Sequence, residues 1–399
     1  MRVSAPLVCF LLAVSLPACS SNSQKQSAKG PDSRGAAKQV AAEPATVRRS
    51  PAYIRASATG RYASGGGAAG VTGDFAGYPA VDRLIDRLER EEGFDREYLE
   101  RVFSRVERQQ WILDFLNRPK SKGPTRPTGA WTRYRAKFVT QDNIGNGARF
   151  WRRYESVLER AHADYGVPPE YVVAILGVET RYGGYTGKHR VIEALSTIAF
   201  DYPRRSEFFT GELEAFLIMS RDEGFDPFTP KGSYAGAMGL GQFMPSSFRR
   251  FAVDYDGDGK RDLWNPVDAI GSVANYFAAH GWREGEPVTV RAKVQGSGAK
   301  AMKTGFDTSY SLGALSRRGV VSSVSLDGSG DVSLLRLDAK GGYEYWLGLE
   351  NFYVITRYNH SSYYAMAVHQ LAQSVRARHG PSKGLILSER GGADREPAL

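Results

Sequence analysis

Apolar positions recur at spacings of three and four through residues 78–166, the period of a helix that buries one face. Val81, Leu84, Ile85 and Leu88 mark a first helix, and 96–116 reads as a second. A polar, proline-rich loop follows at 119–128, and 132–138 and 148–165 resume the helical pattern. The next stretch is apolar almost all round. Pro168 and Pro169 open it, Gly183 and Gly184 close it, and Val172, Val173, Ile175, Leu176 and Val178 lie between. Proline suits a first helical turn and glycine ends helices, so this is a short core helix. Further helices are expected at 191–200, at 206–219 after the break at Pro203, and at 266–280 with Asn265 as cap. The period then changes. Val288, Val290, Ala292 and Val294 alternate with Thr289, Arg291 and Lys293, a strand pattern, and 332–337 is another candidate strand. Helical sequence returns after 353–368. The fold class is mainly α (α+β), with a β-rich insertion over 286–345.

The two ends read differently. Arg2 followed by the apolar run 5–16, too short to span a bilayer as a stable helix, reads as a secretory signal. Residues 20–77 are rich in Ser, Ala, Gly, Gln, Lys and Arg and cannot bury a core, so a flexible tether is expected. Residues 380–399 read as a polar tail. Both cysteines, Cys9 and Cys19, lie in the first twenty residues, so the body has neither a disulfide nor a thiolate metal site. The six histidines are scattered without a metal-binding pattern, which argues against a zinc enzyme. The net charge of +10 suits an anionic partner: nucleic acid, a membrane surface or an acidic wall polymer. No nucleic-acid-binding motif accompanies it.

Candidate chemistry centres on Glu179, in the last turn of the core helix. The negative end of the helix and apolar neighbours both raise a carboxyl pKa, as a general acid requires. On this stretch alone, a Glu turned to solvent or paired with Arg181 competes with that reading. Residues 232–248 are dense in Gly and Ala around Ser233 and Gln242, which lets backbone approach a ligand closely. Gln242 there suits either a sugar hydroxyl or backbone. Asp254, Asp256 and Asp258 stand at positions one, three and five of a calcium-type loop, with Gly259 at six and the Lys260 carbonyl next. Asn265 occupies the twelfth position, where a Glu is usual, and Asp268 closes a longer loop. Arg204 and Arg205 suit either a solvated pair or a clamp on an acidic substrate. Tyr358, Asn359, Tyr363 and Tyr364 suit sugar stacking and, nearly as well, aromatic core packing. Leu16-Pro17-Ala18-Cys19 resembles a bacterial lipobox, which makes Cys19 the expected lipidation site.

Taken in order, these segments carry a resemblance to one family. Residues 177–183 around Glu179, 201–205, 235–247, the acidic loop through 275–277, and 357–359 resemble the membrane-bound lytic murein transglycosylase B family across about 78–378. The resemblance implies a lysozyme-like helical core (156–285 and 346–379), a preceding helical domain (78–155) and the inserted β domain (286–345). Before these stand a lipoprotein signal (1–18) and the tether (19–77). It implies cleavage of the MurNAc–GlcNAc β-1,4 bond of peptidoglycan with Glu179 as sole catalytic acid and a 1,6-anhydro product. It assigns substrate contacts to Arg204, Arg205, Ser233, Gln242, Tyr276, Tyr358, Asn359 and Tyr364. It assigns structural Ca2+ to Asp254, Asp256, Asp258, Lys260 and Asp268. It places the protein on the periplasmic face of the outer membrane through the Cys19 lipid, with cell-wall synthesis proteins as candidate partners and no nucleic acid. Two readings compete: a water-using muramidase, with Asp201 or Glu207 as second carboxylate, and a non-catalytic peptidoglycan-binding lipoprotein.

Overall fold

The computed structural model describes residues 70–119, 128–326 and 330–380. Helix α1 (Pro79–Glu92) begins on a proline and stops at Gly93, whose φ of 68° only glycine adopts freely. It buries Val81, Leu84, Ile85 and Leu88, the four positions its period selects. The 96–116 segment is two helices, not one: α2 (Arg96–Arg105) and α3 (Gln110–Leu116). Long-range bonds cause the break. The Arg108 amide donates to the Asp74 carboxylate (2.9 Å) and the Gln109 amide to Thr197 Oγ1 (2.9 Å), so neither can continue a helix. The short α4 (Ala130–Arg135) follows. The next stretch also divides, into α5 (Gln141–Arg153) and α6 (Glu155–Tyr165), at Tyr154 with φ −117° and ψ 28°.

The core helix is α7 (Pro169–Thr180), buried from Glu170 to Thr180. A two-residue strand β1 (His189–Arg190) leads into α8 (Val191–Asp201), and α9 (Ser206–Asp222) folds back on α8. Strand β2 (Lys231–Gly232) pairs antiparallel with β1. Then come α10 (Pro245–Phe251) and α11 (Pro266–Ala279). The Asn265 side chain caps α11 by accepting from the Val267 amide at 2.9 Å.

The next segment carries helix α12 (Leu312–Ser316) and the strands β3 (Thr289–Val294), β4 (Val320–Ser322), β5 (Ser333–Ala339) and β6 (Gly342–Gly348). They form an antiparallel sheet in the order β4-β3-β6-β5, with Trp346 opposite Arg291 on one side and Leu335 on the other. The chain closes with α13 (Glu350–Tyr358) and α14 (Ser362–His379), the latter packed on α7 and α5.

Side chains alternate across a strand, and β5 uses both faces. Leu334 joins a small core with Ala299, Leu315, Val320, Val332 and Leu347, whereas Leu335 and Leu337 join the main helical core. The sheet is therefore welded to the helices. Asp338, at the end of β5, adds a polar clasp. Its carboxylate accepts from the amides of Thr128 (2.9 Å), Gly129 (2.9 Å) and Ala130 (3.3 Å) and from the Thr128 hydroxyl (3.0 Å). Those amides open α4, which lacks a capping side chain of its own. Among the described residues, no helix is long and apolar enough to cross a membrane.

Candidate active site

Glu179 does not turn to solvent or to Arg181. It is 8% exposed, and its Oε1 accepts a 2.6 Å hydrogen bond from the Tyr364 hydroxyl on α14. Burial pushes its carboxyl up to about 7, against the pull of that hydrogen bond, which favours the charged form. These two influences set its acidity. A second carboxylate near enough to share chemistry would add a third, by repulsion.

The chain reverses sharply after Glu179. Arg181, Tyr182 and Gly183 all have positive φ, and the Tyr182 amide bonds back to the Leu176 carbonyl (3.0 Å). Two non-glycine residues in that region are costly, and the surroundings hold them there. The Tyr182 hydroxyl donates to the Asn143 carbonyl (3.0 Å) and lies in a slot between Gly147 and Gly177, where a Cβ on either would overlap it. Thr180 Oγ1 donates to the Leu240 carbonyl (2.9 Å) and accepts from the Gly183 amide (3.0 Å), tying the turn to the glycine-rich segment.

That segment is a close-packed hairpin. Met238 and Phe243 exchange backbone hydrogen bonds at 2.9 and 3.0 Å. Gly241 lies under Tyr358, whose hydroxyl donates to the Gly241 carbonyl (2.5 Å) and would meet an added Cβ at 2.9 Å. Gln242 adopts φ 51°, and its side-chain amide donates to the carbonyls of Thr186 (3.1 Å) and Gly239 (3.0 Å), leaving Oε1 for a ligand. Ser233 Oγ accepts from the Ala235 and Ala237 amides (3.3 and 3.0 Å), which leaves its hydroxyl proton to donate.

The structure thus brings Glu179, Tyr364 and Tyr358 together, with Gln242 on the adjoining hairpin. The two phenols are pushed well above their usual range by burial first and by the Glu179 charge second. Tyr276 packs edge-on against Tyr358 (4.8 Å), but its hydroxyl is taken by the Arg357 carbonyl (2.7 Å), so it serves the wall of the site. Asn359 follows α13 in an extended conformation. Arg204 is exposed, while Arg205 is half-buried over Phe208 (4.5 Å), with a buried Nη2 that lacks a partner among the described residues. Asp201 is paired with Arg108 (2.5 Å), and Glu207 is exposed. Tyr134, on α4, was not singled out in the sequence. It also feels the Glu179 charge, after burial, and its phenol is raised above its usual range. Only the 132–138 helical pattern pointed toward it.

In the acidic loop, carboxylate oxygens of Asp254, Asp256 and Asp268 lie within 4.8 Å of one another. Asp268 is 1% exposed and receives the amides of Tyr255 (2.7 Å), Asp256 (3.3 Å) and Asp262 (2.8 Å). Asp258 Oδ1 accepts from the Lys260 amide (2.9 Å). Oxygen donors around a tight turn fit a hard cation, and three converging carboxylates repel unless one neutralises them. Cys19 lies outside the described residues.

Comparison with known proteins agrees with this geometry. Residues 77–373 match the Transglycosylase SLT domain model. The chain is 52% identical to membrane-bound lytic murein transglycosylase B of Escherichia coli (strain K12) over 307 residues, 76% of this chain and 84% of the relative. The structure of the E. coli lytic transglycosylase SLT35 in complex with calcium matches with a TM-score of 0.73 and 51% identity, covering 78% of this chain and 96% of that one. SltB3 of Pseudomonas aeruginosa, solved in complex with NAG-anhNAM-pentapeptide, matches with a TM-score of 0.64 and 32% identity over 74% and 80% of the two chains. The chain belongs to the SLT family of lytic transglycosylases and, within it, to the membrane-bound lytic murein transglycosylase B group. Its helical core is lysozyme-like.

Proposed function

We propose that this protein cleaves the MurNAc–GlcNAc β-1,4 bond of peptidoglycan with Glu179 as its only catalytic carboxyl. The observation that carries the reading is the buried Glu179, held near neutrality and bonded to Tyr364. Protonated Glu179 gives its proton to the glycosidic oxygen. The C1–O bond breaks, and its electron pair leaves with the GlcNAc oxygen. The resulting carboxylate takes the proton of the C6 hydroxyl of the same MurNAc. That oxygen closes on C1, so a 1,6-anhydro ring forms and no water is consumed. Most glycosidases use two carboxylates. The pairing of Asp201 with Arg108 and the exposure of Glu207 favour the single-acid route over the muramidase reading. The anhydro sugar bound by SltB3 supports the same product here.

Burial of Glu179 and the tyrosines around it favours exclusion of water and orientation of the C6 hydroxyl. Tyr358, Tyr364, Tyr276, Asn359, Ser233 and Gln242 would line the sugar path, and Arg204 and Arg205 would meet stem carboxylates. Asp254, Asp256, Asp258, the Lys260 carbonyl and Asp268 would hold a calcium ion. The converging carboxylates and the calcium complex of SLT35 support this. When bound, the ion would neutralise the converging carboxylates of the loop. The separate small core supports reading 286–345 as an inserted domain between 156–285 and 346–379, with 78–155 as the preceding helical domain. A Cys19 lipid and the 19–77 tether would hold the enzyme at the periplasmic face of the outer membrane.

The test is product mass. Purified sacculi are digested with residues 20–399 and with the Glu179→Gln variant, and released muropeptides are weighed. Ends one water lighter than reducing ends, from the wild type only, support the proposal. Reducing ends would move it to a hydrolase, and no release from either folded protein would favour a binding role.

A further inference from the structure

Helix α3 presents two aromatic residues one turn apart to the β1–β2 ribbon. Trp111 lies against the His189 ring, with centroids 4.5 Å apart, and Phe115 meets Tyr234 edge-on at 5.0 Å. Phe115 and Tyr234 are half-buried, but Trp111 is 40% exposed. It is also fixed. Its indole N–H donates to Gln109 Oε1 (3.1 Å), while Gln109 donates through its amide to Thr197 Oγ1 (2.9 Å) and through Nε2 to Glu193 Oε2 (3.0 Å). What Trp111 still offers is a rigid, flat, apolar surface without a spare donor. Lys188 and Lys231 are exposed on the same ribbon.

This ribbon is continuous with the candidate active site. His189 pairs with Gly232, which precedes Ser233, and the Thr186 carbonyl accepts from Gln242 Nε2 (3.1 Å). His189 stands three positions after Thr186, a reach of no more than about 11 Å. A large contiguous apolar patch would suit a protein partner. A single fixed ring instead suits a sugar, whose apolar face stacks on it.

The geometry points to Trp111, braced by His189, as a distal saccharide-binding platform for the glycan strand beyond the sugars that the Glu179 site holds. The assignment rests on the peptidoglycan reading above. Trp111 takes no part in the chemistry. It binds longer strands more tightly and feeds them toward Glu179.

Two measurements test it. In the Glu179→Gln background, binding to insoluble sacculi reads affinity without turnover, so it stands even if the proposed reaction fails. Trp111→Ala should weaken that binding roughly tenfold, the loss of one aromatic anchor, and Trp111→Phe should restore most of it. In the active enzyme, Trp111→Ala should raise KM on long glycan strands at unchanged kcat, with the loss vanishing on the shortest strand still cleaved. Unchanged affinity for sacculi would overturn the proposal. So would an equal loss on short and long strands, or a loss that Trp111→Phe does not rescue.

Discussion

Replacing Glu179 with Gln should make the protein more stable at alkaline pH and leave it nearly unchanged in acid. Folding lifts this carboxyl from an ordinary value of 4.5 to about 7, because burial disfavours its charged form. A raised folded pKa means that the native state holds the proton more tightly than the unfolded chain does. The associated stability is fully present below pH 4.5 and is lost as pH climbs through 7. The rise of about 2.5 units corresponds to about 3 kcal/mol at 1.36 kcal/mol per unit, a sizeable part of the 5–15 kcal/mol typical of native proteins. Glutamine never ionises, so the variant escapes the cost. Its side-chain carbonyl still accepts from Tyr364. The assay is urea unfolding of both proteins at intervals from pH 4 to pH 8.5. The other carboxyls titrate alike in both, so the difference isolates Glu179. A stability gap that opens between pH 4.5 and 7 and then levels is expected. A gap independent of pH, or one that opens in acid, would refute the account of a desolvated acid.

Tyr364→Phe removes a hydrogen bond to a charged acceptor, worth about 1.5–3 kcal/mol. It should raise the alkaline limb of the kcat/KM profile by roughly one to two pH units, and a limb that stays put or falls would count against the Glu179–Tyr364 contact. Calcium should raise the melting temperature and chelation should lower it, whereas Asp268→Asn should abolish that response. A shift that persists in the variant would place the ion elsewhere. Cys19→Ala should release the enzyme from outer-membrane fractions into the soluble periplasm, and continued attachment would dismiss the lipid anchor.

Much of this molecule was legible where one local signal sufficed. Prolines and glycines bracketed α7, a three-and-four period marked the buried face of α1, and Asn265 announced the start of α11. Legibility ended where distant groups decided. Nothing near residue 107 shows that Asp74 and Thr197 interrupt a helix there. The fate of Glu179 was open between solvent, Arg181 and a buried acid, because its hydrogen-bond partner lies 185 residues away. Tyr276 is anchored through its hydroxyl to the Arg357 carbonyl, a bond that no spacing could announce. Strands β4 and β6 are harder to see: β4 is only three residues long, and β6 begins and ends on glycine, a residue depleted in strands. Tyr134 was missed because it matters only through α4, which packs near Glu179 in the folded chain.

The Asp338 clasp changes what the inserted sheet means for the acid. One half-buried carboxylate at the end of β5 holds the first amides of α4, and α4 carries Tyr134, which feels the Glu179 charge. The acid therefore owes part of its dry surroundings to a residue from a different layer of the protein. Trimming the insertion to obtain a minimal catalytic core would leave α4 with three unpaired amides and open one wall of the pocket to water. Glu179 would then drift toward the acidity of an ordinary glutamate, already ionised at neutral pH. On the proposed mechanism, a residue of the sheet thus helps set the proton that Glu179 would donate.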